Sequence, residues 1–276
     1  MADTTQKNEA LELAEQNWGE LEGSVARPEG INANDRSGTE DIRPDEIRLP
    51  RLAIAQGLSP QLLPGTAEYI KGLAIGQMFN DVSEEIYGEG PLRLVPVKRH
   101  VTRIEFDPQD KKRPLDRNVP AGDPRLQWEG DNPPRATEFV EFISLLLRPG
   151  KAPEGVVVSI KTTNKEQRKA AGLWTTFIAQ TTGPIYARMY NISSKIVRGK
   201  NKKGEDTTYG VFSVKNAGFI PTDKPAGAAL FAFAKQFHES LKDQVIETNR
   251  DGVADDEGDT SFDTGKFDGQ GEATEM

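Results

Sequence analysis

Five segments of strand-like pattern recur between residues 91 and 215, and one segment of helical period interrupts them after the third. The strand-like stretches are 92–97 continuing toward Phe106, 137–148, 155–160, 184–198 and 207–215. Their β-branched and aromatic side chains suit a pleated, partly buried backbone. Pro96 falls inside the first of them, and because proline cannot donate to a ladder it predicts an edge position or a bulge. Residues 162–180 read as a helix, with Thr162 or Thr163 as cap and Ala170, Leu173, Trp174 and Phe177 at helical spacing. A second helix, 225–247, starts at Pro225 and carries Leu230, Phe233, Phe237 and Leu241 on one stripe. Upstream, 47–90 holds scattered apolar residues broken by Pro50, Pro60 and Pro64, which predicts irregular or short-strand structure packed onto the core. Within it, 75–81 and 85–88 read as two short strands about a polar turn.

Strand, long loop, two strands, helix, then two strands joined by a hairpin is the connectivity of an OB fold. The fold class expected is therefore mainly β: an OB-fold-like β-barrel, a five-stranded Greek key, with a helix between strands 3 and 4 and a helix at the C-terminal end. An antiparallel sandwich with helices on its rim stays open as the other arrangement. An OB barrel binds oligonucleotides across its strand 2–3 face and between two loops, here 107–136 and 199–206. The division expected is a disordered acidic segment 1–46, a nucleic-acid-binding domain 47–249 and a disordered acidic tail 250–276.

Charge supports that division. Residues 1–90 hold 7 Lys/Arg against 17 Asp/Glu, 91–250 hold 27 against 17, and 251–276 hold 1 against 9. A basic middle between two acidic ends points to a polyanionic partner for the middle, which the overall net charge of −8 conceals. Without cysteine there are no disulfides, thiolate nucleophiles or cysteine metal sites. Only His100 and His238 are present, which leaves little room for histidine metal sites or histidine catalysis. No phosphate-binding glycine loop, nucleophile elbow or zinc-protease signature occurs. No cofactor and no catalytic residues are expected, and a nuclease built on Glu105, Asp107 and Glu138 is the remaining enzymatic alternative. The other non-enzymatic alternative is a structural or scaffolding β-protein.

The candidate binding residues fall in three groups. On the last hairpin, Lys195, Arg198, Lys200, Lys202 and Lys203 surround Gly199 and Gly204, with Tyr209 and Lys215 on the returning strand. Lysines on a flexible turn can follow a phosphate backbone without one fixed geometry. On strand 184–198, period two puts Tyr186, Arg188 and Tyr190 on one face, a stacking platform for bases, with core packing as its competing role. In the long loop, Lys111, Lys112, Arg113, Arg117, Arg125 and Arg135 surround Trp128, beside Arg93, Lys98, Arg99 and Arg103 of the first strand. The cations of the interrupting helix, Arg168 among them, read first as a solvated face and second as phosphate contacts, and Trp174 reads as packing.

The stretches 49–52 (LPRL), 56–60 (QGLSP), 76–80 (GQMFN), 85–88 (EIYG) and 94–97 (LVPV) resemble a group of phage single-stranded DNA-binding proteins. The layout, a basic OB-like body with an acidic tail, is also similar to the T7-like helix-destabilising proteins and the bacterial single-strand binding proteins. That resemblance implies a tail that occupies the DNA groove when it is empty and docks on replication or recombination proteins when displaced. The tail residues concerned are Asp255, Asp256, Glu257, Asp259, Phe262, Asp263, Phe267 and Asp268, although the aromatic tip usual in those families is absent here. The partner expected is single-stranded DNA, with a homo-oligomer allowed. No membrane and no signal peptide are expected, so the location expected is the cytoplasm of an infected bacterial cell.

Overall fold

A computed structural model describes residues 49–110, 113–130, 132–180, 182–200 and 206–241. The acidic ends and residues 201–205, expected as part of a turn, lie outside these. By its contacts the chain forms two units, and every element below belongs to the larger, residues 41–148 and 153–276; of the other, only 149–152 are described.

Three short strands, β1 (Leu52–Ile54), β2 (Met78–Asn80) and β3 (Ile86–Gly88), form a small antiparallel sheet in that order. The two short strands expected about the turn at 81–85 are β2 and β3. The main sheet comprises β4 (Leu92–Phe106), β5 (Pro114–Asp116), β6 (Ala136–Leu147), β7 (Glu154–Lys161), β8 (Arg188–Lys200) and β9 (Asp206–Phe219). Its order is β7-β6-β4-β8-β9, with β5 on β4 beside that path, and all its ladders are antiparallel. Helix α1 (Lys165–Ala179) lies between β7 and β8 in sequence, and α2 (Pro225–Ser240) follows β9. Pro96 makes a bulge: the register against β6 shifts between Pro96 and Lys98, in the central strand and not at an edge.

The sheet is buried on both faces. One carries Leu94, Phe142, Val158, Tyr190, Ile192 and Phe212, covered by Trp174 of α1 and by Leu52, Ile54 and Met78 of the small sheet. The other carries Val95, Val97, Ile143, Leu145 and Val157, covered by Ala234 of α2 and by Leu241. Trp174 is fully buried, with its ring 4.0 Å from Phe142 in a stacked pair. Leu173, expected on the same stripe, is instead 45 % exposed, because Gln167, Ala170, Ala171 and Trp174 form the inward face. The helix cap is Asn164 and neither threonine: its side chain accepts from the N–H groups of Glu166 and Gln167 at 2.9 and 3.1 Å. Thr162 is spent on the sheet, where its N–H and hydroxyl both donate to the carbonyl of Glu138.

The expected closed barrel does not form. The outer strands β7 and β9 do not pair with each other. Residues 50–56 stand at the seam instead. The N–H of Val157 on β7 donates to Pro50 O at 2.8 Å. On β9, Gly210 N–H donates to Gln56 Oε1 at 2.8 Å, and Gly210 O accepts from Gln56 Nε2 at 3.0 Å and from Gln167 Nε2 at 3.1 Å. Two glutamine side chains thus satisfy the edge backbone that a pairing strand would otherwise serve. The approach is close enough to need glycine, since a Cβ at Gly210 would lie 2.4 Å from Ile54 Cγ2.

Candidate nucleic-acid interface

β8 pairs with β4 only over Tyr190–Ile192 but with β9 from Arg188 to Lys200, so the two run on together as a ribbon. Register aligns Arg93, Asn191 and Lys215 across β4, β8 and β9. Strand spacing puts the two cations about 10 Å apart on one face. Lys195, four residues beyond Asn191 on that face, is exposed, and Arg198 is exposed nearer the end of β8. Arg93 Nε donates to Asn191 Oδ1 at 3.3 Å. None of Arg93, Lys195, Arg198 and Lys215 is held in an ion pair among the described residues. Lys195 reaches only the edge of a field: Glu166, held below the usual carboxylate range mainly by a hydrogen bond from Lys169, also feels the Lys195 charge. Lys111, Lys112, Lys202, Lys203 and the side chain of Lys200 lie outside the described residues.

The tyrosine platform does not exist as expected. Residues Ile185–Ala187 form a 3-10 turn, which breaks the alternation, and β8 starts at Arg188. Tyr190 is fully buried with its ring 5.9 Å from Trp174, and Tyr186 packs 5.4 Å from Phe231 beneath α2. Tyr209 is buried as well. The core competes for large rings wherever both faces of a strand are covered, and here it wins. Of the three residues, Arg188 alone keeps an aromatic pairing that meets solvent: its guanidinium lies 4.1 Å from the ring of Phe219, which is 49 % exposed. Phe219 escaped the sequence reading because its segment was expected to end at Lys215; the Arg188–Phe219 register is a tertiary fact.

Much of the cationic charge near the long loop is spent internally. Arg125 binds Glu105, Asp116 and Asp123 with N···O distances of 2.7, 3.0 and 2.9 Å. Its hydrogen bonds hold the Asp123 carboxyl down at about 2, and the three carboxylates push the guanidinium further up. Arg135 takes the other oxygen of Glu105 at 2.7 Å. Arg103, expected on DNA, pairs with Glu138 at 2.8 Å. Lys98, expected there too, donates to the carbonyl of Leu241 at 2.6 Å, where it complements the C-terminal end of α2. His100 places Nε2 2.6 Å from the buried carboxylate of Glu141, which also accepts from Thr102 and Ser159, so it belongs to a buried polar cluster. Arg113 remains exposed at the loop edge.

Two expected residues, Arg99 and Trp128, do come together. They line a cavity of about 440 Å³ between the long loop, the β4–β6 sheet and α1. Arg168, Thr162, Thr163 and Thr175 complete its polar wall. Arg99 Nε donates to Thr175 Oγ1 at 3.1 Å. Neither Arg99 nor Arg168 has an ion-pair partner among the described residues. Glu138 also lines the cavity, with its charge met by Arg103.

With this geometry in hand, the chain matches the family described as Pam3 phage gp34-like protein over residues 21–247. The chain belongs to that family. It is thus a phage protein, as the resemblance implied, and the match spans the main sheet, both helices, the ribbon and the cavity. No curated protein and no solved structure matches it. Among the described residues of this family member, no helix is long and apolar enough to cross a membrane.

Proposed function

We propose that this phage protein binds single-stranded DNA with little sequence preference and acts, without a catalytic step, in phage DNA replication or recombination in the host cytoplasm. The observation that carries the reading is the set of exposed cations on and beside the β8–β9 ribbon: Arg93, Lys195, Arg198 and Lys215 have no carboxylate partner among the described residues, whereas Arg125 and Arg135 of the loop do. Cations left exposed and without an ion pair on and beside the ribbon attract a polyanion and release its counterions. Phe219, stacked under Arg188 and half exposed, supplies a ring for base stacking. With the short β5 set aside, the succession β4, β6, β7, α1, β8 and β9 agrees with the OB plan, a partly open five-stranded Greek key, and supports that finer reading of the fold. In the same reading the acidic tail competes with DNA for these cations and docks on replication or recombination proteins when displaced. Nuclease chemistry at Glu105 and Glu138 is disfavoured because arginines occupy their carboxylates.

A band-shift titration with a labelled oligonucleotide over several salt concentrations tests this. Four phosphate contacts at about −0.7 each give a slope of log K on log salt near −3. An oligonucleotide that does not shift at low salt, or a flat salt response, refutes the reading and leaves a structural β-protein. Cleavage on adding magnesium refutes the non-enzymatic part alone.

A further inference from the structure

We propose that the cavity between the long loop and α1 is a nucleotide pocket: the indole of Trp128 stacks one base while Arg99 and Arg168 hold the adjoining phosphate. This deepens the single-strand reading, because the pocket lies apart in sequence and charge from the ribbon cations.

Three features carry it. First, the cavity's volume of about 440 Å³ falls in the range of small-ligand sites, which runs from roughly 300 to 1,000 Å³. Second, its charge is unbalanced toward positive. Arg99 and Arg168 are without carboxylate partners among the described residues, while the lining carboxylate, Glu138, is already met by Arg103. Arginine recognises phosphate through a planar fork, and the hydroxyls of Thr163 and Thr175 add donors and acceptors around it, while Thr162, whose proton goes to Glu138 O, adds an acceptor. Trp128, 40 % exposed, adds an indole to the same wall. Unpaired guanidinium, hydroxyl and an open aromatic ring together fit a nucleotide better than an apolar ligand or a simple anion.

Third, Gly172 stands in the interior of α1, where glycine costs about 1 kcal/mol relative to alanine. Packing does not require it. A Cβ built there meets nothing within 4 Å, and the residue lines the cavity. Its missing side chain leaves open the space a ligand would fill. The same α1 face presents Arg168, Ala171, Gly172 and Thr175, so a cation, two small residues and a hydroxyl face the cavity at helical spacing.

Tryptophan fluorescence of the full chain, titrated with dAMP and separately with an oligonucleotide, tests the pocket. The chain has three tryptophans, of which Trp174 is buried, so a Trp128→Leu control assigns the signal. Both ligands are expected to quench Trp128. Trp128→Leu should weaken oligonucleotide binding about 5- to 150-fold, the range that loss of one stacked base implies. Arg168→Ala should lower the salt slope by about 0.7. Gly172→Leu is the decisive variant: it should fold at least as stably as the parent, since its side chain enters open space on a better helix former, yet lose dAMP quenching. Lys215→Ala, on the ribbon, should weaken oligonucleotide binding and leave dAMP quenching unchanged.

If oligonucleotides bind but Trp128→Leu, Arg168→Ala and Gly172→Leu bind them and dAMP like the parent, the pocket is overturned and the single-strand reading survives. If dAMP quenches Trp128, with loss in Gly172→Leu, but oligonucleotides do not bind, the pocket stands as a site for free nucleotide and the single-strand reading falls. Inorganic phosphate competing as well as dAMP, with no quenching by either, overturns the base-stacking half and with it the proposal. No binding of either ligand overturns both.

Discussion

Gln56 joins segments far apart in the chain, and removing its side chain should show how the seam between β7 and β9 is held. In the parent it is buried and exchanges two hydrogen bonds with Gly210, at 2.8 Å to the N–H and 3.0 Å from the carbonyl's acceptor side. In Gln56→Ala, Gly210 N–H loses its partner in a buried place, which costs about 1–3 kcal/mol, and a second bond of about 1 kcal/mol is lost with it. Gly210 O keeps Gln167, so the total should be about 2–4 kcal/mol and not more. Gln167→Ala should cost less, about 0.5–1.5 kcal/mol, because the carbonyl then keeps Gln56. The double variant strips that carbonyl of both donors and should exceed the sum of the singles by about 1 kcal/mol or more. Urea unfolding measures this directly: with m near 2 kcal/mol/M, the Gln56→Ala midpoint should fall by about 1–2 M at unchanged m. Amide exchange at Gly210 should accelerate first. A midpoint shift below about 0.25 M with slow exchange at Gly210 would refute the idea that these glutamines close the seam.

Four further outcomes are expected. Arg93→Ala with Lys215→Ala should lower the salt slope of oligonucleotide binding by about 1.4, at about 0.7 per contact, with thermal stability unchanged. Tyr190→Ala should instead destabilise by about 3–5 kcal/mol in denaturant, as removal of a fully buried ring does, and a stable variant would contradict its place in the core. The Asp123 carboxyl is held down at about 2, below its usual value of 3.8, by hydrogen bonds from Arg125. Because the folded value is the lower one, its stabilisation is complete above pH 3.8 and is lost as pH falls toward 2. Loop protection followed by exchange or proteolysis should therefore drop across that window, and Arg125→Ala should abolish the dependence. Deleting 251–276 should tighten oligonucleotide binding at low salt, with the gain shrinking as salt rises; unchanged affinity would make the acidic segment something other than a competitor.

Local chemistry made the strands and helices legible. Branched and aromatic residues at alternate positions marked β4, β6, β7, β8 and β9, whereas the short β5 lies in a stretch expected as loop; Pro96 marked a bulge, Pro225 marked the start of α2, and Trp174 announced itself as packing. The segregation of charge along the chain was equally readable, since composition needs no fold. Phage membership followed from short stretches of sequence and agrees with the family match.

Tertiary structure decided which of those residues are free to act. Tyr186 and Tyr190 looked like a platform by period two, but a turn breaks the alternation and covered faces absorb their rings. Arg103, Arg125 and Lys98 counted equally with Lys195 and Lys215 in any tally of charge. Only folding brings Glu138, three loop and strand carboxylates and the Leu241 carbonyl to the first three and leaves the last two without an ion pair. The seam and the cavity belong to the same class of fact. Gln56 meets Gly210 across 154 positions, and Arg99 meets Thr175 across 76. Pattern along a chain reports the local backbone, because that is governed by near neighbours. Pairing between distant side chains depends on where the backbone brings them, and no local pattern carries it.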